Sequence, residues 1–371
     1  MKRIFVLPIA LLLAACAGTD NAPKPTPLTT LASKVHVDTN WKASLSSADI
    51  YHFAPDTTGG VIYAAGVKGM AGFDPKTGRE TIRIRADKEL SGGIGAQNGV
   101  LVAGTIKGLV LAYDTDGKLK WKAHVSSEVI SAPALGEGIA VVRSVDGRIW
   151  GLDLADGKVR WQYPRAQPSL ILRNYAPVAI SDGVVYAGLA GGRIAALSLN
   201  EGRVLWDSQI AQAKGASELE RVTDVTSTPV VDRGEVCAVA YQGKVACFAV
   251  NNGSQLWSRE ISSYAGLAVD KDNVYVTDDE GNVQAFERSG GRSLWKQAGL
   301  YGRHVSTPAV YNGNVVVGDF EGYVHFLSPV DGSFVARQST DKSPIVVAPR
   351  VIADQLVVQT KDGDLYALAV K

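Results

Sequence analysis

The segment GLDLADGKVRW, residues 151–161, holds an alternating strand, a polar turn ending in glycine, and a tryptophan four residues after that glycine. The pattern returns in LAYDTDGKLKW (111–121), ALSLNEGRVLW (196–206), CFAVNNGSQLW (247–257) and AFERSGGRSLW (285–295). Weaker copies put Ile82 after Gly78 and Ala336 after Gly332. The turn glycines 78, 117, 157, 202, 253, 291 and 332 lie 38 to 51 residues apart. A period of that size marks a chain built from one repeated supersecondary unit.

Around this segment, residues 129–164 show four short β-patterned runs separated by Gly-Glu-Gly and two Asp-Gly signals, an antiparallel meander of four strands. Such a sheet cannot bury both faces alone. Stacked radially, each sheet packs on its neighbours, with the tryptophans filling the space between them. The chain is therefore read as all-β: an eight-bladed β-propeller over residues 35–371, seven blades being the alternative. The eighth unit is split. Residues 356–371 supply two runs and stop where a Trp-bearing strand is due, while residues 35–45 contain Trp41 with no glycine turn before it. Pairing of the amino-terminal strand with the last blade closes the ring and removes exposed sheet edges.

Composition agrees with an ordinary globular body. Hydrophobic residues make up 46% and charged residues 20%, which excludes a disordered chain and a polytopic membrane protein. A net charge of +1 without a basic block excludes the electrostatic footprint of a nucleic-acid binder. Residues 1–15 read as a signal peptide, with Lys2 and Arg3 ahead of a twelve-residue apolar stretch too short to span a bilayer. Leu13-Ala14-Ala15-Cys16 is similar to the lipobox of bacterial lipoproteins, which implies cleavage before Cys16 and its lipidation. Ala17, where an aspartate would signal inner-membrane retention, favours the periplasmic face of the outer membrane. Residues 16–34 carry Pro23, Pro25 and Pro27 and no hydrophobic periodicity. They are expected to form a flexible tether reaching on the order of 50 Å.

Chemistry-bearing motifs are missing. His36, His52, His124, His304 and His325 have no metal-site spacing, and no nucleophile elbow, Walker loop or dinucleotide fingerprint occurs. Asp278-Asp279-Glu280 reads as a solvated turn rather than a calcium site. Cys237 and Cys247 lie on successive strands. A three-residue loop would set them face to face, and either a disulfide or two buried thiols is compatible with the sequence.

Binding elements are expected where the blade-to-blade connections lengthen. Counted from the tryptophan position to the proline or its equivalent opening the next blade, six intervals run 11 to 14 residues, but those after Trp161 and Trp206 run 16 and 23. They hold PRAQPSLILRNYAP (164–177) and DSQIAQAKGASELERVTDVTSTP (207–229). Because strand direction alternates, both emerge on one rim from adjacent sectors and should be neighbours. Long loops on a rigid scaffold are common binding elements. Leu170, Ile171, Leu172 and Arg173 make an apolar patch with a charged anchor.

With lipobox, tether and Trp-bearing repeats together, the sequence resembles the BamB lipoprotein family of the outer-membrane β-barrel assembly machinery. PSLILR (168–173) looks like that family's PSLxLR loop and SELERVTDV (217–225) like its ExxRxxDVD region. The resemblance implies a non-catalytic scaffold that needs no cofactor or metal. It also implies that these loops bind the POTRA domains of BamA, with Leu170, Leu172, Arg173 and Asp224 as contact residues. Other members of the assembly complex and nascent outer-membrane proteins are the further partners implied. Thr226 replaces the motif's second aspartate, which removes one charged contact. The competing reading is a periplasmic quinoprotein dehydrogenase using pyrroloquinoline quinone, whose repeats share the glycine–tryptophan motif. It lacks the matching carboxylate cluster and adjacent cysteines here.

Overall fold

The computed structural model describes residues 24–164 and 167–371. The repeats fold into eight antiparallel sheets of four strands, each sheet a consecutive meander except the last. Blades 1 to 7 span residues 56–85, 90–124, 134–163, 179–209, 230–260, 266–297 and 309–339. Blade 8 combines residues 350–370 with Val37–Ser44, which pairs along the carboxy-terminal strand Asp364–Val370. The eight-bladed ring expected from the repeat is thus closed by hydrogen bonds between first and last strands.

Eight apolar clusters hold the ring, one at each junction between neighbouring blades. Six are organised by a repeat tryptophan: Trp41, Trp121, Trp161, Trp206, Trp257 and Trp295, all under 10% exposed. Each indole Nε1 donates to a backbone carbonyl of the following blade, at Pro75, Leu154, Leu199, Val250, Arg288 and Pro329 respectively, over 2.7–2.9 Å. Each ring also lies against the turn glycine of that blade: Gly78, Gly157, Gly202, Gly253, Gly291 or Gly332. The motif is therefore a connector between units, since its glycine receives the tryptophan of the preceding blade.

A β-bulge precedes each Trp position. Cys247 pairs with Trp257 but Phe248 pairs with Gln255, so Leu256 is left over. The same slip leaves out Leu205 and Leu294, which is why these leucines are exposed on otherwise amphipathic strands. It recurs at Asn40 in the non-covalent blade 8, between Thr39 and Trp41. The two junctions without a tryptophan have their own reasons. Ile82 and Ile84 fill the space against Gly117. Ala336 faces blade 8, whose outer strands belong to opposite chain ends and have no turn glycine to cover.

Cys237 and Cys247 are direct cross-strand partners around the three-residue turn Tyr241-Gln242-Gly243, and they form a disulfide. This closes the alternative that the sequence left open. In the loop-entropy model such a short closure adds roughly 3 kcal/mol before native strain is subtracted.

The amino-terminal segment differs from expectation. Cys16 and the rest of the signal and lipobox region lie outside the described residues, but residues 24–34 do not hang free. Thr26 N–H donates to Tyr301 O (2.9 Å) and Lys34 N–H to Val335 O (2.7 Å). Arg303 donates to Thr26 O (3.2 Å) and Arg337 to Thr29 O (2.9 Å), while Leu28 packs into the junction of blades 6 and 7. The arginines are aimed by a buried cluster, in which Asp319 accepts from Arg303 and lies 2.9 Å from His325 Nε2. These backbone groups find partners on the body, which hydrophobic periodicity cannot reveal.

The Trp–Gly contact predicts a graded response to added methyl groups. Gly253 and Gly138 both have left-handed φ, 68° and 79°. An alanine Cβ meets Trp206 at 2.5 Å in the first and nothing within 4 Å in the second. Gly138→Ala should therefore lose about 1 kcal/mol through backbone strain, and Gly253→Ala about 1–3 kcal/mol more through overpacking. Thermal unfolding of both variants checks this; equal losses would mean that the indole does not seat on the glycine.

Candidate interaction site

In each blade, the turn joining the second and third strands lies on the same rim as the connection to the next blade. The two long connections emerge there side by side. Leu172 N–H donates to Asp224 Oδ2 (2.7 Å), and Gly191 N–H, from the turn of blade 4, donates to Asp224 Oδ1 (2.9 Å). Asn174 Nδ2 donates to Val225 O (3.0 Å), and Ala190 forms an isolated bridge with Asp224. One carboxylate thus clasps both loops to the blade. Burial pushes its pKa up, while the two amide donors oppose that shift.

The four residues singled out by sequence fall into two groups. Leu170 is 40% exposed and Leu172 partly buried, and Arg173 is exposed. Arg173 is held loosely, 3.4 Å from Glu128 Oε2 and over the ring of Tyr175. Asp224, only 3% exposed, points inward, and both of its oxygens are engaged within the chain. Thr226 donates to Tyr264 O (3.2 Å). In the second loop, Glu220 accepts from the backbone of Ala216 and Ser217, folding a compact tip from which Leu219 projects, 72% exposed.

Several residues of the site carried no sequence signal. His52, in the connection from blade 8 to blade 1, stacks on Tyr175 with ring centroids 4.1 Å apart. This ties the first long loop to a connection three blades away. Burial, with Lys361 nearby, lowers the His52 pKa to about 4. Beneath the loops lies a cleft of about 210 Å³, bordered by Ile130, Arg143, Ile171, Leu172, Asn174 and Asp224 among others. No repeat or spacing rule distinguishes Arg143, the last residue of a strand, from other strand ends.

No group of three or more His, Cys, Asp or Glu is arranged to hold a metal among the described residues. Asp278, at the acidic turn, accepts instead from Asn282 and Gln284. No helix among these residues is long and apolar enough to cross a membrane.

The family model described as outer membrane protein assembly factor BamB matches residues 41–297. The chain belongs to the BamB family. A protein of that name from Burkholderia pseudomallei is 38% identical over 99% of this chain and 98% of its own. The crystal structure of BamB from Moraxella catarrhalis superposes with a TM-score of 0.83 at 27% identity, covering 90% of this chain and 99% of that one. A quinohemoprotein alcohol dehydrogenase from Comamonas testosteroni gives 0.73 at 11% identity, over 90% of this chain and 76% of that one, a likeness of fold alone. The BamB relatives are named as assembly factors, so the family resemblance outweighs the dehydrogenase reading.

Two measurements test the clasp. Asp224→Ala orphans two backbone donors, so hydrogen exchange should quicken at Leu172 and Gly191 and stay unchanged in the blade strands. His52 binds fewer protons folded than unfolded between about pH 4 and its ordinary value near 6.5. Its contribution is therefore complete above that window and is lost as pH falls through it, by about 3 kcal/mol. The drop in Tm between pH 7 and 4.5 should be smaller in His52→Phe than in the parent.

Proposed function

We propose that this chain is a non-catalytic scaffold of outer-membrane protein assembly whose loop-bearing rim docks on the POTRA domains of BamA. The observation that carries this reading is the convergence of the two long connections over Asp224, which presents PSLILR as a fixed surface. Leu170 and Leu172 supply apolar area, and Arg173, weakly held by Glu128, is free to exchange that partner for a carboxylate across the interface. Asp224 acts from beneath by fixing the Leu172 backbone. Lipidated Cys16 attaches the body to the periplasmic face of the outer membrane, and the rest of the assembly complex and its nascent clients are brought near by that docking.

Leu172→Asp and Arg173→Glu should each abolish co-purification with BamA from solubilised envelopes while leaving the β circular-dichroism signal intact. Undiminished recovery of BamA with both variants would remove the rim from the interface.

A further inference from the structure

Arg143 is the anomaly of the rim. The two buried arginines among the described residues are paired, Arg288 with Asp232 and Glu235 and Arg303 with Asp319 and Glu321, whereas Arg143 is partly buried, with its Nε enclosed. Arg143 has no hydrogen-bond or ion-pair partner among the described residues, and its Nε is buried without one. Asp224 borders the same cleft but spends both oxygens on the amides of Leu172 and Gly191. Burial, unopposed by any counter-charge, lowers the guanidinium pKa to about 10, which leaves it charged at neutral pH. Breaking a buried pair is strongly destabilising because a lone charge remains, so a fold that carries one has left a partner's place open.

The cleft limits what that partner is. At about 210 Å³ it is smaller than the roughly 300–1,000 Å³ that small-molecule sites occupy, yet it accommodates one side chain. Ile130, Ile171 and Leu172 wall it with apolar groups, which strengthen an ion pair by excluding water. The planar fork of a guanidinium matches a carboxylate. We propose that Arg143 is the base of a carboxylate receptor, filled by an aspartate or glutamate side chain of the protein docking on this rim. The inference rests on the docking reading above and adds a second cationic anchor beneath Arg173.

The test titrates the purified POTRA region of BamA into the full chain, using the parent, Arg143→Met, Arg143→Lys and Leu172→Asp. Arg143→Met should keep or raise the Tm, because it removes an unpaired charge, and weaken binding at least tenfold, with Arg143→Lys between. In the parent, the Nε–H resonance of Arg143, assigned by its loss in Arg143→Lys, should shift when the probe is added. Parent-like binding by Arg143→Met alongside lost binding by Leu172→Asp overturns the receptor and leaves the docking reading standing. Parent-like binding by both variants overturns the two together. A lowered Tm in Arg143→Met, or an unmoved resonance on saturation, assigns Arg143 a structural role and also overturns the receptor.

Discussion

The ring depends on a tryptophan from one blade resting on a glycine of the next. At Gly157, Gly202, Gly253 and Gly291 the left-handed backbone requires glycine, and the absent Cβ makes room for an indole. The indole N–H then satisfies a carbonyl of the same turn region, so each junction is fixed by area and by direction. Hydrophobic stacking alone tolerates sliding between two flat sheets. A ring that must close after eight steps does not, because a small angular error at each junction accumulates around the circle. The bulge beside each tryptophan serves the same end, since it sets the indole against a small residue such as Gly151, Ala196 or Ala285 on the neighbouring strand.

On that fixed body, the proposed interaction surface is built from segments that could not organise themselves. Residues 167–177 and 210–229 of the two long connections contain little regular structure. Their backbone groups are answered from below, by Asp224 and Asn174, and from across the ring by the His52–Tyr175 stack. Preorganisation of this kind reduces the entropy lost on association, leaving the exposed leucines and Arg173 more of their gross interaction energy. The buried carboxylate of Asp224 and the unpaired guanidinium of Arg143 each carry a desolvation penalty that a purely structural rim would avoid.

The fold was legible in the sequence because its defining contact repeats. Glycine and tryptophan at fixed spacing gave the blade count, and Trp41 without a turn gave the closure. Alternation of strand direction was enough to place the two long loops together. Orientation within the site was not legible: Asp224 sits in a motif with a contact role by resemblance, but only coordinates show its side chain turned inward to Leu172 and Gly191. The stack of His52 on Tyr175 depends on residues more than a hundred positions apart meeting at the rim, and the setting of Arg143 on loop segments that the repeat pattern does not place. The course of residues 24–34 was hidden for a related reason, since an extended strip bound through its backbone leaves no periodic trace.

That strip has a mechanical consequence. It leads directly into Val37–Ser44, the strand whose pairing with the carboxy terminus shuts the circle. A load applied at the amino-terminal end meets Arg303 and Arg337 first, and the flank of blade 7 takes it up before it reaches the seam. What remains runs along a paired ladder in shear, where many hydrogen bonds resist at once instead of parting one by one. The proposed lipid leash thus joins the molecule at its most openable point with strain relief built in.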